Sequence, residues 1–125
     1  MSSLPATFVE GFHDEETVRK MQYYHFGRTG RLVSAVSLGA SSFAGVFHEA
    51  SEQDCRTIVL EALQAGVNVI DTAPWYGHGK SEEVLGRILR DIPRNSYYLH
   101  TKVCVCVCGA ASETLWSCDI RVHCA

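Results

Sequence analysis

Asp71-Thr72-Ala73-Pro74-Trp75-Tyr76-Gly77-His78-Gly79-Lys80-Ser81-Glu82-Glu83-Val84-Leu85-Gly86 joins one apolar run to an amphipathic one, and Lys102 closes the next run in Thr101-Lys102-Val103. On its N-terminal side Val67-Asn68-Val69-Ile70 is a mostly apolar strand, and Asp71 marks its C-terminal end. On the other side Ser81 is a fitting helix N-cap, with Glu82 and Glu83 in a first turn that favours acids. Val84, Leu85, Ile88 and Leu89 supply that helix's buried stripe, and Pro93 lies past its end. Tyr97 to Lys102 is the following strand.

Upstream, Ser51-Glu52-Gln53-Asp54 has capping-box spacing with Asp in the acidic place. Cys55, Ile58, Val59, Ala62, Leu63 and Ala65 recur at three and four residues as one apolar helix face, and Gly66 suits the left-handed end. Ser34 to Ser42 reads as a short strand ending in small residues that allow close approach. Two short aromatic or apolar runs between Tyr23 and Val33 flank Gly27-Arg28-Thr29-Gly30, which signals a β-hairpin. Residues 1–20 are polar and aperiodic, and are expected to form a flexible leader. A hairpin followed by β-α-β-α-β predicts an α/β fold with a parallel sheet. Right-handed crossovers place the strand C-termini on one edge, with Asp71 and Lys102 side by side.

Composition narrows the classes. A chain of 125 residues is at most one modest domain, and 46% apolar with 20% charged residues is ordinary for a globular one. Net charge of −3 offers no basic surface for nucleic acid or acidic lipid. No apolar run approaches the roughly 20 residues that span a bilayer. Residues 1–20 carry Glu10, Asp14, Glu15 and Glu16 and lack secretory-signal character, so a cytoplasmic, reducing setting is expected. Of six cysteines, Cys55 stands alone, while Cys104, Cys106, Cys108, Cys118 and Cys124 follow Lys102.

A phenol ionises near pH 10 in water. A neighbouring ammonium stabilises the phenolate, and a carboxylate keeps that ammonium charged and aimed. Asp71, Lys102 and Tyr76 are the three groups such a relay requires. Tyr76 would donate a proton to a carbonyl oxygen or accept one from an alcohol. Hydride would have to come from a nicotinamide, since no side chain supplies it.

With Gly27-Arg28-Thr29-Gly30, Val33-Ser34, Leu38-Gly39, Asp71-Thr72-Ala73-Pro74-Trp75-Tyr76-Gly77, Ser81-Glu82, Leu85-Gly86 and Thr101-Lys102, residues 21–103 resemble the aldo-keto reductase family. The resemblance is to its sugar-dehydrogenase-like members, such as L-galactose or D-arabinose dehydrogenase. It implies a (β/α)8 TIM barrel closed below by the hairpin, of which this chain carries the first three strands and two helices. It also implies NAD or NADP as cofactor and a small-molecule carbonyl or sugar as substrate. Asp71, Tyr76 and Lys102 match three members of the family's catalytic tetrad, while Gly39, Ala40, Ser41 and Asp71 fall where the nicotinamide would lie.

The family's fourth residue is a histidine one β-α unit further on, and such a unit takes about 30 residues. His123 follows Lys102 by 21 positions, too few for it. A whole barrel takes about 250 residues. The chain therefore reads as a truncated NAD(P)-dependent oxidoreductase with little activity alone. The alternative is a non-enzymatic short isoform or gene-model fragment that is degraded or associates with a full-length reductase. Residues 104–125 are expected to be a divergent Cys-rich tail. Val103-Cys104-Val105-Cys106-Val107-Cys108 is what a TG dinucleotide repeat encodes, from which residues 104–125 are expected to come from read-through beyond a coding exon or from an alternative transcript. Cys104, Cys106 and Cys108 would share one strand face, but without Cys-x-x-Cys pairs no metal site is assigned.

Overall fold

The structure, a computed structural model, describes residues 4–45 and 49–102. In chain order these form α1 (Glu15–Lys20), β1 (Tyr23–His25), β2 (Leu32–Ser34), β3 (Leu38–Gly39), α2 (Glu52–Gln64), β4 (Val69–Asp71), α3 (Lys80–Leu89) and β5 (Tyr98–His100). Short 3-10 turns at Ser41–Ala44 and Arg94–Ser96 complete them. β1 and β2 pair antiparallel, with Tyr24 opposite Val33, which is the expected hairpin. β3, β4 and β5 form a parallel sheet in that order. This is a partial α/β barrel unit, a hairpin followed by three parallel strands with two intervening helices.

Local signals explain the helices. The Ser51 hydroxyl accepts from the Asp54 N–H at 3.1 Å and caps α2. Gly66, at φ +95°, ends α2 in the left-handed region open to glycine. Cys55, Val59 and Leu63 are the buried α2 residues, whereas Ile58 is 46% exposed. The apolar face is thus a narrower i, i+4 stripe than the spacing suggested. Val84, Leu85, Ile88 and Leu89 of α3 all enter the core, beside Ala40, Phe43, Ile70, Ile92 and Tyr97. Arg87 to Glu52 at 2.9 Å and Arg56 to Asp91 at 3.0 Å link α2 to α3 and the turn after it at the surface.

Two expectations need correction. Residues 4–20 are not a loose leader. Asp14 accepts from the Glu16 and Thr17 N–H groups and caps α1, and Val18 is buried. Thr7 is buried too, and accepts a hydrogen bond from Asn68 Nδ2 at 3.0 Å. Ser81 is not an N-cap. Gly79 holds that position in the left-handed region, α3 starts at Lys80, and the Ser81 hydroxyl instead donates to Ala40 O at 2.7 Å. The expected tail and its cysteines lie outside the described residues.

Asn68 locks the hairpin to the sheet. Its Oδ1 accepts from the Ser34 N–H at 2.8 Å, and Nδ2 donates to Leu32 O at 3.0 Å. Its own N–H donates to Ser34 Oγ at 3.0 Å. A buried amide survives only when its bonds are made, and here they span three segments of chain.

Candidate active site

Register sets the site. Asp71 pairs with Gly39 on one side and His100 on the other, so three strand ends form a row. Side chains alternate along a strand, so Lys102 lies on the His100 face of its chain and Thr101 on the opposite one. Thr101 Oγ1 donates to Glu82 Oε1 of α3 at 2.6 Å. The buried Thr72 and Ser81 hydroxyls meet at 3.0 Å. With the Ser81 hydroxyl donating to Ala40 O, these bonds hold the N-terminus of α3 against the ends of β3, β4 and β5.

The loop after β4 carries Tyr76. Its N–H donates to Ala73 O at 3.0 Å, the Gly79 N–H to Pro74 O at 2.8 Å, and the Ser81 N–H to Tyr76 O at 3.2 Å. This wound turn sends the phenol back over Asp71. Tyr76 Oη donates to Asp71 Oδ2 at 3.3 Å. Lys102 Nζ lies 3.2 Å from both Asp71 oxygens, 3.3 Å from Thr72 O and 3.5 Å from Tyr76 Oη. It also stands 5.2 Å from the Tyr76 ring centroid. Asp71, Tyr76 and Lys102 are therefore one hydrogen-bonded cluster.

Burial pushes the Asp71 carboxyl up, but hydrogen bonds from Lys102 and then His100 outweigh it and hold the group below the usual carboxylate range. The Asp71 carboxylate in turn raises the Lys102 ammonium above its ordinary value. The pair stays ionised across neutral pH. The Tyr76 hydroxyl stands within reach of both the ammonium and the carboxylate, the placement that a proton-transferring phenol needs.

The cofactor residues divide. Gly39 is exposed, and among the described residues nothing stands within 4 Å of a Cβ placed on it. Ser41 is half-buried at the start of its turn. Ala40 is 0% exposed, and its N–H and C=O are bonded to Asp71 O and Ser81 Oγ. Two neighbours were not read as part of the site. His100 Nδ1 lies 2.7 Å from Asp71 Oδ1, a contact that strand register alone creates. Trp75 is 77% exposed next to Tyr76, its ring 5.8 Å from that of His78.

Comparison with known proteins gives this site its setting. A sequence model of the aldo/keto reductase family matches residues 35–120. L-galactose dehydrogenase of Arabidopsis thaliana is 40% identical over 96 residues, covering 75% of this chain and 28% of that protein. The NADH-specific methylglyoxal reductase of Escherichia coli is 34% identical over 96 residues, covering 74% of this chain and 28% of its own. A holo aldo-keto reductase from Bacillus halodurans superposes with a TM-score of 0.57 at 31% identity, over 66% of this chain and 26% of that one. The chain thus spans less than a third of the length of these relatives. Over that span, it belongs to the aldo/keto reductase family.

Proposed function

We propose that the chain carries the proton-transfer half of an NAD(P)(H)-dependent oxidoreductase acting on a small carbonyl compound or sugar. The observation that carries this is the single cluster of Tyr76 Oη, Lys102 Nζ and the Asp71 carboxylate. Tyr76 is the acid toward a carbonyl oxygen and the base toward an alcohol. Lys102 stabilises the phenolate, and Asp71 aims Lys102 and keeps it charged. A nicotinamide, when bound, supplies or takes the hydride. Gly39 and Ser41 are the residues proposed to border it.

Membership of the family supports the reaction class, and the L-galactose dehydrogenase relative supports a sugar among the substrates. The exposed Trp75 ring gives such a substrate an apolar face beside the acid. Among the described residues no helix is long and apolar enough to cross a membrane. The buried thiol of Cys55 suits a cytoplasmic setting.

A second proposal is a non-enzymatic role by association with a longer reductase. Among the described residues β3 and β5 each have a neighbour on one side only, and unpaired edges favour such pairing. Carbonyl-dependent oxidation of NADH or NADPH by the purified chain separates the two. Turnover that falls by about 10²–10⁴ in Tyr76→Phe supports the oxidoreductase. Turnover indifferent to Tyr76→Phe contradicts the assigned acid. No turnover, with co-purification of a longer relative, supports association.

A further inference from the structure

We propose that His100 is a positioning residue of the Asp71–Lys102–Tyr76 cluster, and that its protonation decides how the Asp71 carboxylate is divided between two cations. The inference builds on the function proposed above, but its physical content does not depend on turnover.

Asp71 Oδ1 takes two contacts, from His100 Nδ1 at 2.7 Å and from Lys102 Nζ at 3.2 Å. Oδ2 takes the Tyr76 hydroxyl at 3.3 Å and the same ammonium at 3.2 Å. A neutral imidazole can donate one hydrogen bond to Oδ1, leaving Lys102, among the described residues, as the full positive charge on the carboxylate. An imidazolium adds a second charge at the shorter distance. Lys102 then loses its hold on Oδ1 and keeps its contacts with Thr72 O and Tyr76 Oη. Of Asp71, Lys102, Tyr76 and His100, the imidazole is the group that gains a positive charge by taking up a proton.

The groups around His100 permit the effect. β4 presents Asp71, and the loop after β4 presents Tyr76 through Asp71 Oδ2. Its own segment presents Lys102. Beyond Asp71, β3 presents Gly39, which has no side chain. Glu82 of α3 is engaged by Thr101, which alternates to the other face. The His100 side chain is 63% exposed, so protons reach it and substitution leaves the core untouched.

The test follows the Asp71 carboxyl carbon by NMR in the full chain labelled with 13C-aspartate, between pH 3 and 9. The wild type is expected to show an inflection separate from the carboxyl's own titration. His100→Asn keeps a donor near the Nδ1 position without a titrating ring, and is expected to lose that inflection. A purely structural role would leave both curves alike and would overturn the proposal. So would a wild-type curve without the inflection, whether or not the variant folds. If carbonyl reduction is found, its kcat/KM profile should lose the same inflection in His100→Asn. If none is found, the proposed activity falls, while the carboxyl titration still decides the role of His100.

Discussion

Gly77→Ala tests whether the turn that carries Tyr76 is set by contact with the 3-10 turn after β3. Gly77 sits at φ +65°, where a side chain costs about 1–2 kcal/mol. A Cβ built there would lie 2.5 Å from the Cβ of Ala44, whereas carbon atoms rest at about 3.5–4.0 Å. Ala44 is buried, so the overlap is relieved by moving the turn about 1 Å. Overpacking of that kind costs about 1–3 kcal/mol. The expected loss is about 2–5 kcal/mol, a large part of a small domain's stability. Gly86→Ala is the control. Gly86 lies inside α3 with nothing near its Cβ position, so alanine should stabilise the chain by about 0.5–1 kcal/mol. Urea unfolding followed by far-ultraviolet circular dichroism measures both. A Gly77→Ala midpoint equal to wild type would refute the close approach of the two loops.

The hairpin lock gives a second expectation: Asn68→Ala strands the Ser34 N–H and the Leu32 carbonyl and should destabilise by about 2–4 kcal/mol, measured by the same unfolding curve. Stability should also fall with acid in two stages. Burial holds the His13 imidazole below 6.5, so its contribution is complete above that value and declines as pH drops through it. Asp71, held below 3.8, keeps its contribution until pH falls under that value. His13→Phe should flatten the first stage and leave the second, as read from thermal midpoints across pH. At the alkaline end the Lys102 contribution persists up to 10.5 and is lost above it, a limb that Lys102→Met should remove.

How much of this could be read from the chain depends on how local each signal is. Ser51 and Gly66 announce the ends of α2 because their work is done within four residues. The stripe of α3 is equally local, and Asp71, Tyr76 and Lys102 were legible because strand ends and motif place them. Ser81 misled because its hydroxyl reaches 41 residues back to Ala40 instead of capping its own helix. The N-terminal segment misled for the same reason. Six helical residues show little periodicity, and beyond the local Asp14 cap the contacts that hold the segment to the fold are remote: Asn68 to Thr7, and the Asp14 N–H to Gln64 O. The resemblance set Ala40 with Gly39 and Ser41 near the nicotinamide, and in the structure Ala40 is 0% exposed with its backbone groups bonded to Asp71 and Ser81, contacts too remote in sequence to be read locally. His100 became visible only when register set it beside Asp71.

The central claim is that Asp71, Lys102 and Tyr76 act as one proton-sharing unit. Its most direct measurement is the titration of the Asp71 carboxyl carbon in the wild type and in Lys102→Met. In the wild type the midpoint should lie below the ordinary aspartate value. Without the ammonium, burial is opposed mainly by His100, and the midpoint should rise. A midpoint unchanged by Lys102→Met would show that lysine and carboxylate are uncoupled, and would contradict the account.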